Sequence, residues 1–240
     1  MEPAGMSEFS RLTGVFFEPG KAFKDISERP RWLVPLLLIM AASMIYMLVF
    51  TQHVGWEQTV RHQIEHSSRA GTMSREQIDQ GVATGAKIAA VMAFVGPLIG
   101  TPVVYLIEAA VLLGIVAGIM SAPVKFKQVF AVICYAGLPM VVFTGLAIAV
   151  MFLKSPDQFN LQNPLVFNAG AFMDQDSSPK FLYSLASSLD LFAIWVVLLI
   201  AKGFQCAAGK KLSYGGALAA VAIPWAILVL GKASLAGLFG

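Results

Sequence analysis

Five long apolar stretches alternate with polar ones along this 240-residue chain. A helix needs roughly 20 mostly apolar residues to cross about 30 Å of hydrocarbon. The predicted spans are residues 32–51, 98–120, 129–153, 181–201 and 217–239. The pattern therefore predicts an all-α, polytopic membrane protein with five transmembrane helices.

Prolines mark the candidate kinks in these helices. The apolar run over residues 88–120 is too long for one straight span, and proline both removes a backbone donor and clashes with the preceding turn. We therefore place a division near Pro97. The other kink candidates are Pro102, Pro139 and Pro224.

The polar stretch between the first two spans has the pattern of helices. Charges of opposite sign recur every fourth position, at Glu57, Arg61, Glu65 and Arg69. Ser74 and Gln77 match a capping box. Residues 53–68 and 75–95 are predicted to form an extramembrane helical hairpin, each arm continuous with its span apart from the proline kink.

The basic residues predict the orientation, because cytoplasmic loops carry an excess of lysine and arginine. With the N-terminus inside, the inner segments hold ten of the 17 lysines and arginines, and the outer segments hold seven over longer loops. We expect an N-in, C-out topology.

Composition excludes an ordinary soluble protein. Hydrophobic residues make up 57% of the chain, charged residues only 13%, and the mean hydropathy is +0.72. Soluble domains are about 25% charged. The net charge of +3 is too small to predict nucleic-acid binding, and two cysteines make no disulfide framework. No nucleophile elbow, phosphate loop, CxxC or dinucleotide fingerprint occurs, so we expect no enzyme activity and no cofactor.

Residues 1–31 form a cytoplasmic amphipathic segment in this scheme. Apolar residues recur there at helical spacing, and the basic residues of the second half are Lys21, Lys24, Arg29 and Arg31. One interpretation is that the segment lies along anionic headgroups. The other is that it packs against the inner rim of the bundle.

Three polar residues within predicted spans are candidates for chemistry: Glu108, Asp190 and Tyr135. The two acids fall near the middle of the second and fourth spans, where a charge costs several kcal/mol. One hypothesis is a proton or cation site. The alternative is a neutral acid bonded to Tyr135 or to nearby serines as interhelical glue.

His62 and His66 belong to an H-x-x-E-H sequence, the pattern of inverzincin metalloproteases. Zinc chemistry also needs a third ligand and an enclosed cleft, and the polar stretch is too short to build one. We predict no metal site and keep these histidines as weak candidates only.

A Phe-x-x-Pro-x-x-x-Phe motif and a Pro-x-Trp precede the first span, here Phe16, Pro19 and Phe23, then Pro30 and Trp32. Three later segments belong to the same pattern, namely FKQVFAVICYAGLP (126–139), Asn163-Pro164 and SLDLFAIW (188–195). In these segments the chain resembles prokaryotic Yip-domain proteins (Ypt/Rab-interacting protein-like).

This resemblance implies a five-span bundle, residues 32–240 here, with a cytosolic N-terminus and no established activity. Eukaryotic relatives bind Rab-class GTPases through long cytosolic N-termini. Only 31 residues precede the first span here, so we do not expect GTPase binding.

The leading hypothesis is a non-enzymatic scaffold, membrane-organising factor or accessory subunit, in the cytoplasmic (inner) membrane if the source is prokaryotic. Its partners would be the lipid bilayer and another membrane protein or a second copy. The alternative is a small-solute or ion transporter or channel that uses Glu108 and Asp190.

Overall fold

The structure is a computed structural model that describes residues 5–65, 67, 70–161, 163–174 and 177–239. Within those residues the chain is helical, and its extended pairing is one isolated bridge between Asn168 and Asp190. The α-helices are α1 Glu8–Phe17, α2 Pro19–Glu28, α3 Leu33–His53, α4 Trp56–Glu65, α5 Arg75–Val95, α6 Thr101–Leu113, α7 Phe126–Ala136, α8 Pro139–Leu153, α9 Lys180–Ser188, α10 Leu191–Ala208 and α11 Tyr214–Phe239.

Five helical runs in the described part of the chain are long and apolar enough to cross a membrane. They are Leu33–His53, Arg75–Ile119, Phe126–Leu153, Leu191–Lys211 and Tyr214–Leu238. The predicted all-α, five-span fold class is confirmed. The bounds of the second and fourth spans differ from the prediction.

The second run passes through Pro97 without ending. Gly96–Gly100 form a π-helical turn that joins α5 to α6, and such wider turns accommodate a residue that cannot join the regular ladder. The run of 45 residues is about 68 Å long, over twice the thickness of the hydrocarbon. Its first part must therefore project beyond the bilayer.

The fourth span starts about ten residues later than predicted. Helix α9 ends at Ser188, and α10 begins at Leu191. Between them Asp190 pairs with Asn168, and this extended pairing interrupts the helix. The prediction that Asp190 lies in the middle of a span is therefore wrong.

Helices α4 and α5 form the predicted hairpin. A side chain at Gly85 would meet Val60 Cγ1 at 2.8 Å, so glycine permits close packing of the two helices. Arg61 bonds Asp79 of α5 at 2.9 Å. The Ser74–Gln77 capping box is present, with bonds of 3.2 and 2.8 Å.

The first arm of the hairpin is not continuous with its span, contrary to prediction. Helix α3 ends at His53 and α4 begins at Trp56. Gly55 has φ +84° between them, a left-handed conformation that ends the helix. The second arm is continuous through the π-helical turn.

The chain divides into two compact units. The first comprises Met1–Ala41, Gly100–Val142 and Leu191–Leu228, and the second comprises Ala42–Ile99, Phe143–Asp190 and Val229–Gly240. The large hydrophobic core of the first unit is built from α1, α2, α6, α7, α10 and α11. A smaller cluster in the second unit centres on Phe50, Met151 and Phe159.

Candidate functional site

The N-terminal segment forms two ten-residue helices that belong to the first unit. Ser7 caps α1 by accepting a bond from the Ser10 amide at 3.1 Å. Pro19 opens α2, where its fixed φ suits the first turn. The buried apolar side chains of the two helices are Val15, Ala22, Phe23 and Ile26, all part of the unit's core. Of the two interpretations made above, the structure has the segment packed against the bundle.

Arg11 is the centre of a buried ion network between these helices. Its side chain is 2% exposed. Nε donates to Asp25 Oδ2 at 2.6 Å, and Nη2 lies 2.6 Å from the same oxygen. Nη1 lies 3.5 Å from Glu8 Oε1. The backbone amide of Met6 donates to the other oxygen of Asp25 at 3.1 Å.

The network continues to the third span through Tyr135. This tyrosine is fully buried, and its hydroxyl donates to Glu8 Oε2 at 2.6 Å. Arg31 Nη1 lies 3.4 Å from the other Glu8 oxygen. Two guanidinium groups and two carboxylates, from Arg11, Arg31, Glu8 and Asp25, therefore balance in charge.

The environment of Arg11 favours its charged form. Burial by itself lowers the pKa of a guanidinium, but the hydrogen bonds of Asp25 and Tyr135 and the charge of Asp25 outweigh burial, so the pKa of Arg11 is raised above its ordinary value. The permanent positive charge of Arg11 holds the carboxylates of Glu8 and Asp25 in place.

Aromatic contacts fasten the same segment to the spans. Phe16 meets Trp195 edge to face, with ring centroids 5.7 Å apart. Trp32 meets Phe130 in the same way at 5.2 Å. Phe23 packs at Gly203, where an added Cβ would lie 3.1 Å from the Phe23 ring. Such pairs contribute about 0.5–1.5 kcal/mol each beyond the area they bury.

The four basic residues predicted for the headgroup region divide between two environments. Arg31 joins the ion network, while Lys21 is exposed and pairs with Glu18 at 3.2 Å. Lys24 is exposed on α2. Arg29 is partly buried after the end of α2.

Glu108 lies within α6, partly buried, in the first unit. It is close enough to act electrostatically on the Tyr105 hydroxyl and the Cys134 thiol. Asp190 belongs to the second unit. Asp190 directly precedes α10, where aspartate is favoured as a helix cap.

The kink prolines occupy different helical positions. Pro97 lies in the π-helical turn, and Pro102 lies in the first turn of α6. Pro139 is the first residue of α8, after a turn at Gly137 and Leu138, so it starts a helix within the third run. Pro224 lies inside α11.

His62 lies exposed on α4, and His66 falls outside the described residues. Among the residues that the structure describes, no group of three histidine, cysteine, aspartate or glutamate side chains is arranged to hold a metal ion. The described residues therefore supply no third metal ligand for these weak candidates.

Reasoning from the sequence identified Tyr135 and Arg31 but missed Glu8, Arg11 and Asp25. One signal was available for Arg11. It lies four residues before Val15, on the buried face of α1, so an arginine occupies a position that the apolar pattern assigns to the interior.

The fold and this network define a multi-pass α-helical membrane protein whose N-terminal helices are part of the bundle's core. The family model described as the Yip1 domain matches residues 13–235, and the chain belongs to the Yip1 family. The match includes Phe16, Phe23 and Trp32, which make the aromatic contacts described above. Neither the curated proteins nor the solved structures contain a chain that matches this one.

Proposed function

We propose that this Yip1-family protein is a non-enzymatic scaffold or accessory subunit of a membrane complex. It would reside in the cytoplasmic (inner) membrane with its N-terminus on the cytoplasmic side. Its hairpin of α4 and α5 would present a polar surface to a partner, either another membrane protein or a second copy.

The observation that carries this proposal is the packed hairpin. Gly81 and Gly85 lie against Ile64 and Val60, which fixes the two helices at close distance. Beside the glycines, α5 exposes three polar residues that share one helical face, namely Gln77, Gln80 and Thr84. A rigid helical pair with a free polar face suits recognition, because little conformational entropy is lost on binding.

The spans add support through their apolar surfaces. Exposed side chains along α6 and α11 are large and apolar, among them Val104, Ile107, Ile227 and Leu228. In a bilayer these faces contact lipid or the helices of a partner. The transport alternative rested on Glu108 and Asp190 as acids inside spans, but Asp190 precedes α10 and does not lie within it.

Site-specific crosslinking in cells tests the partner surface. A photoreactive amino acid at Gln80 should give a discrete adduct above the monomer mass, identifiable by mass spectrometry as a second copy or another protein. The matched control carries the same probe with Gly85→Leu, which separates the hairpin helices and should abolish the adduct. No adduct from Gln80, or one that Gly85→Leu leaves unchanged, would contradict the proposal.

A further inference from the structure

A cleft of about 940 Å³ in the first unit is lined by residues that the ion network does not use. Its walls come from α2, the start of α7, the end of α10 and the turn Gly209–Lys211. A volume of this size is within the range of small-molecule sites. The charged residues that line it are Lys24, Lys202, Lys210 and Glu28.

Three ammonium groups face one carboxylate in this cleft, an excess of two positive charges. Among the described residues, none of the three lysines forms an ion pair with a carboxylate. Like charges so arranged repel one another, and the binding of an anion reduces this repulsion. The cleft is therefore suited to a negatively charged ligand.

Two of the lysines are brought together by the packing of α10 on α2. The side chain of Lys202 crosses Gly20, where an added Cβ would lie 3.3 Å from Lys202 Cε. Lys24 lies four residues after Gly20, on the same face of α2. Both lysines are close enough to the Cys206 sulfur to act on it electrostatically.

Two neutral side chains in the cleft, Ser213 and Gln205, have hydrogen-bond donors that are available to a ligand. The Ser213 hydroxyl accepts from the Gly216 amide at 3.1 Å, which leaves its own hydrogen free to donate. Gln205 accepts from Lys202 Nζ at 2.9 Å through its oxygen, so its amide nitrogen still offers two donors. Gln128, by contrast, donates to the Ser27 carbonyl at 2.9 Å and is occupied.

The cleft lies where two spans end. The run Leu191–Lys211 finishes at its wall, and the run Tyr214–Leu238 begins one residue after Ser213. The ends of membrane spans lie at the depth of lipid headgroups. Phosphate is the anion present there, and clustered lysines beside a span are typical of anionic lipid recognition.

We propose that this cleft binds a phosphate group, held by Lys24, Lys202 and Lys210 with Ser213 and Gln205 as neutral donors. The phosphate belongs to an anionic lipid headgroup or to a soluble phosphate that reaches the membrane surface. The site is independent of the hairpin and of the scaffold role.

Native mass spectrometry of the full chain in detergent tests this with two probes, phosphatidylglycerol and inorganic phosphate. Lys24→Gln combined with Lys202→Gln should weaken phosphatidylglycerol binding by about 30-fold, since each lysine near an anionic surface contributes about fivefold. The matched control, Lys125→Gln with Lys127→Gln, removes two exposed lysines outside the cleft and should change binding less than about twofold. Lys210→Gln alone, in an exposed turn, should weaken binding about fivefold without affecting folding.

Competition distinguishes the two sources of phosphate. If millimolar inorganic phosphate displaces phosphatidylglycerol from the wild type, the site accepts a soluble phosphate. If phosphatidylglycerol binds in a manner that depends on Lys24 and Lys202 and phosphate does not displace it, the ligand is a lipid. Equal loss of binding in the cleft variants and the control, or no loss in either, would overturn the proposal.

Discussion

Arg11 and Asp25 show how single residues fix the position of the N-terminal helices. A buried ion pair contributes little net stability when it is compared with an apolar pair, but loss of one partner leaves the other buried without compensation. The main effect of the network is therefore to select the arrangement of the helices, and it adds little net stability. The observed packing of α1 on α2 and α7 satisfies Glu8, Arg11 and Asp25 together.

Asp25→Asn should destabilise the protein by about 3 kcal/mol, because it leaves the Arg11 charge without its closest partner. Thermal melting in detergent should show a clear decrease in Tm. The matched control is Glu18→Gln, which breaks the exposed pair with Lys21 and should cost less than about 1 kcal/mol. Equal melting of the two variants would show that the network does not hold the segment.

A second prediction about a single residue concerns Asp190, in the second unit. At the position before α10, asparagine can replace aspartate as a cap, so Asp190→Asn should melt like the wild type. Asp190→Leu removes any capping oxygen and should cost about 1 kcal/mol. The contrary result is a Tm for Asp190→Leu equal to that of the wild type in the same detergent.

At this scale the sequence predicted some residues and not others. Tyr135 was identified as a polar group within a span, and it is one end of the network. Its partner Glu8 lies 127 positions earlier in the chain. No local sequence pattern connects residues so far apart. The pairing depends on the packing of α1 on α7, which only the structure shows.

Among the helices, the hairpin was predictable because its signals are local. Alternating charges, a capping box and two apolar stripes all lie within the segment that forms it. The start of the fourth span was not predictable by hydropathy, because residues 181–201 are apolar throughout except for a few serines and Asp190. The interruption there depends on Asn168, about twenty residues earlier.

Gly85→Leu tests the packing of the hairpin. Its side chain would occupy the space of Val60, so α4 and α5 should separate and trypsin should cut more rapidly at Arg61 and Lys87. Gly71→Leu is the matched control, because an added Cβ there meets nothing within 4 Å. Equal cleavage rates for the two variants would mean that Gly85 does not set the distance between the helices.

For the whole molecule, the charge distribution predicts an N-in, C-out topology. Single cysteines are introduced into a chain with Cys134→Ala and Cys206→Ala. Thr72→Cys and Ser155→Cys should react with an impermeant thiol reagent from outside intact cells, whereas Ser213→Cys should react only after the membrane is opened. Labelling of Ser213→Cys from outside with protection of Thr72→Cys would reverse the orientation.

The proposed role, a scaffold or accessory subunit of a membrane complex, requires no movement of solutes across the membrane. The most direct measurement is proton and potassium flux in liposomes that contain the purified full chain, with an imposed pH gradient and membrane potential. We predict that flux through wild-type liposomes equals flux through protein-free liposomes and through Glu108→Gln liposomes. Wild-type flux well above the protein-free level that Glu108→Gln abolishes would contradict the account.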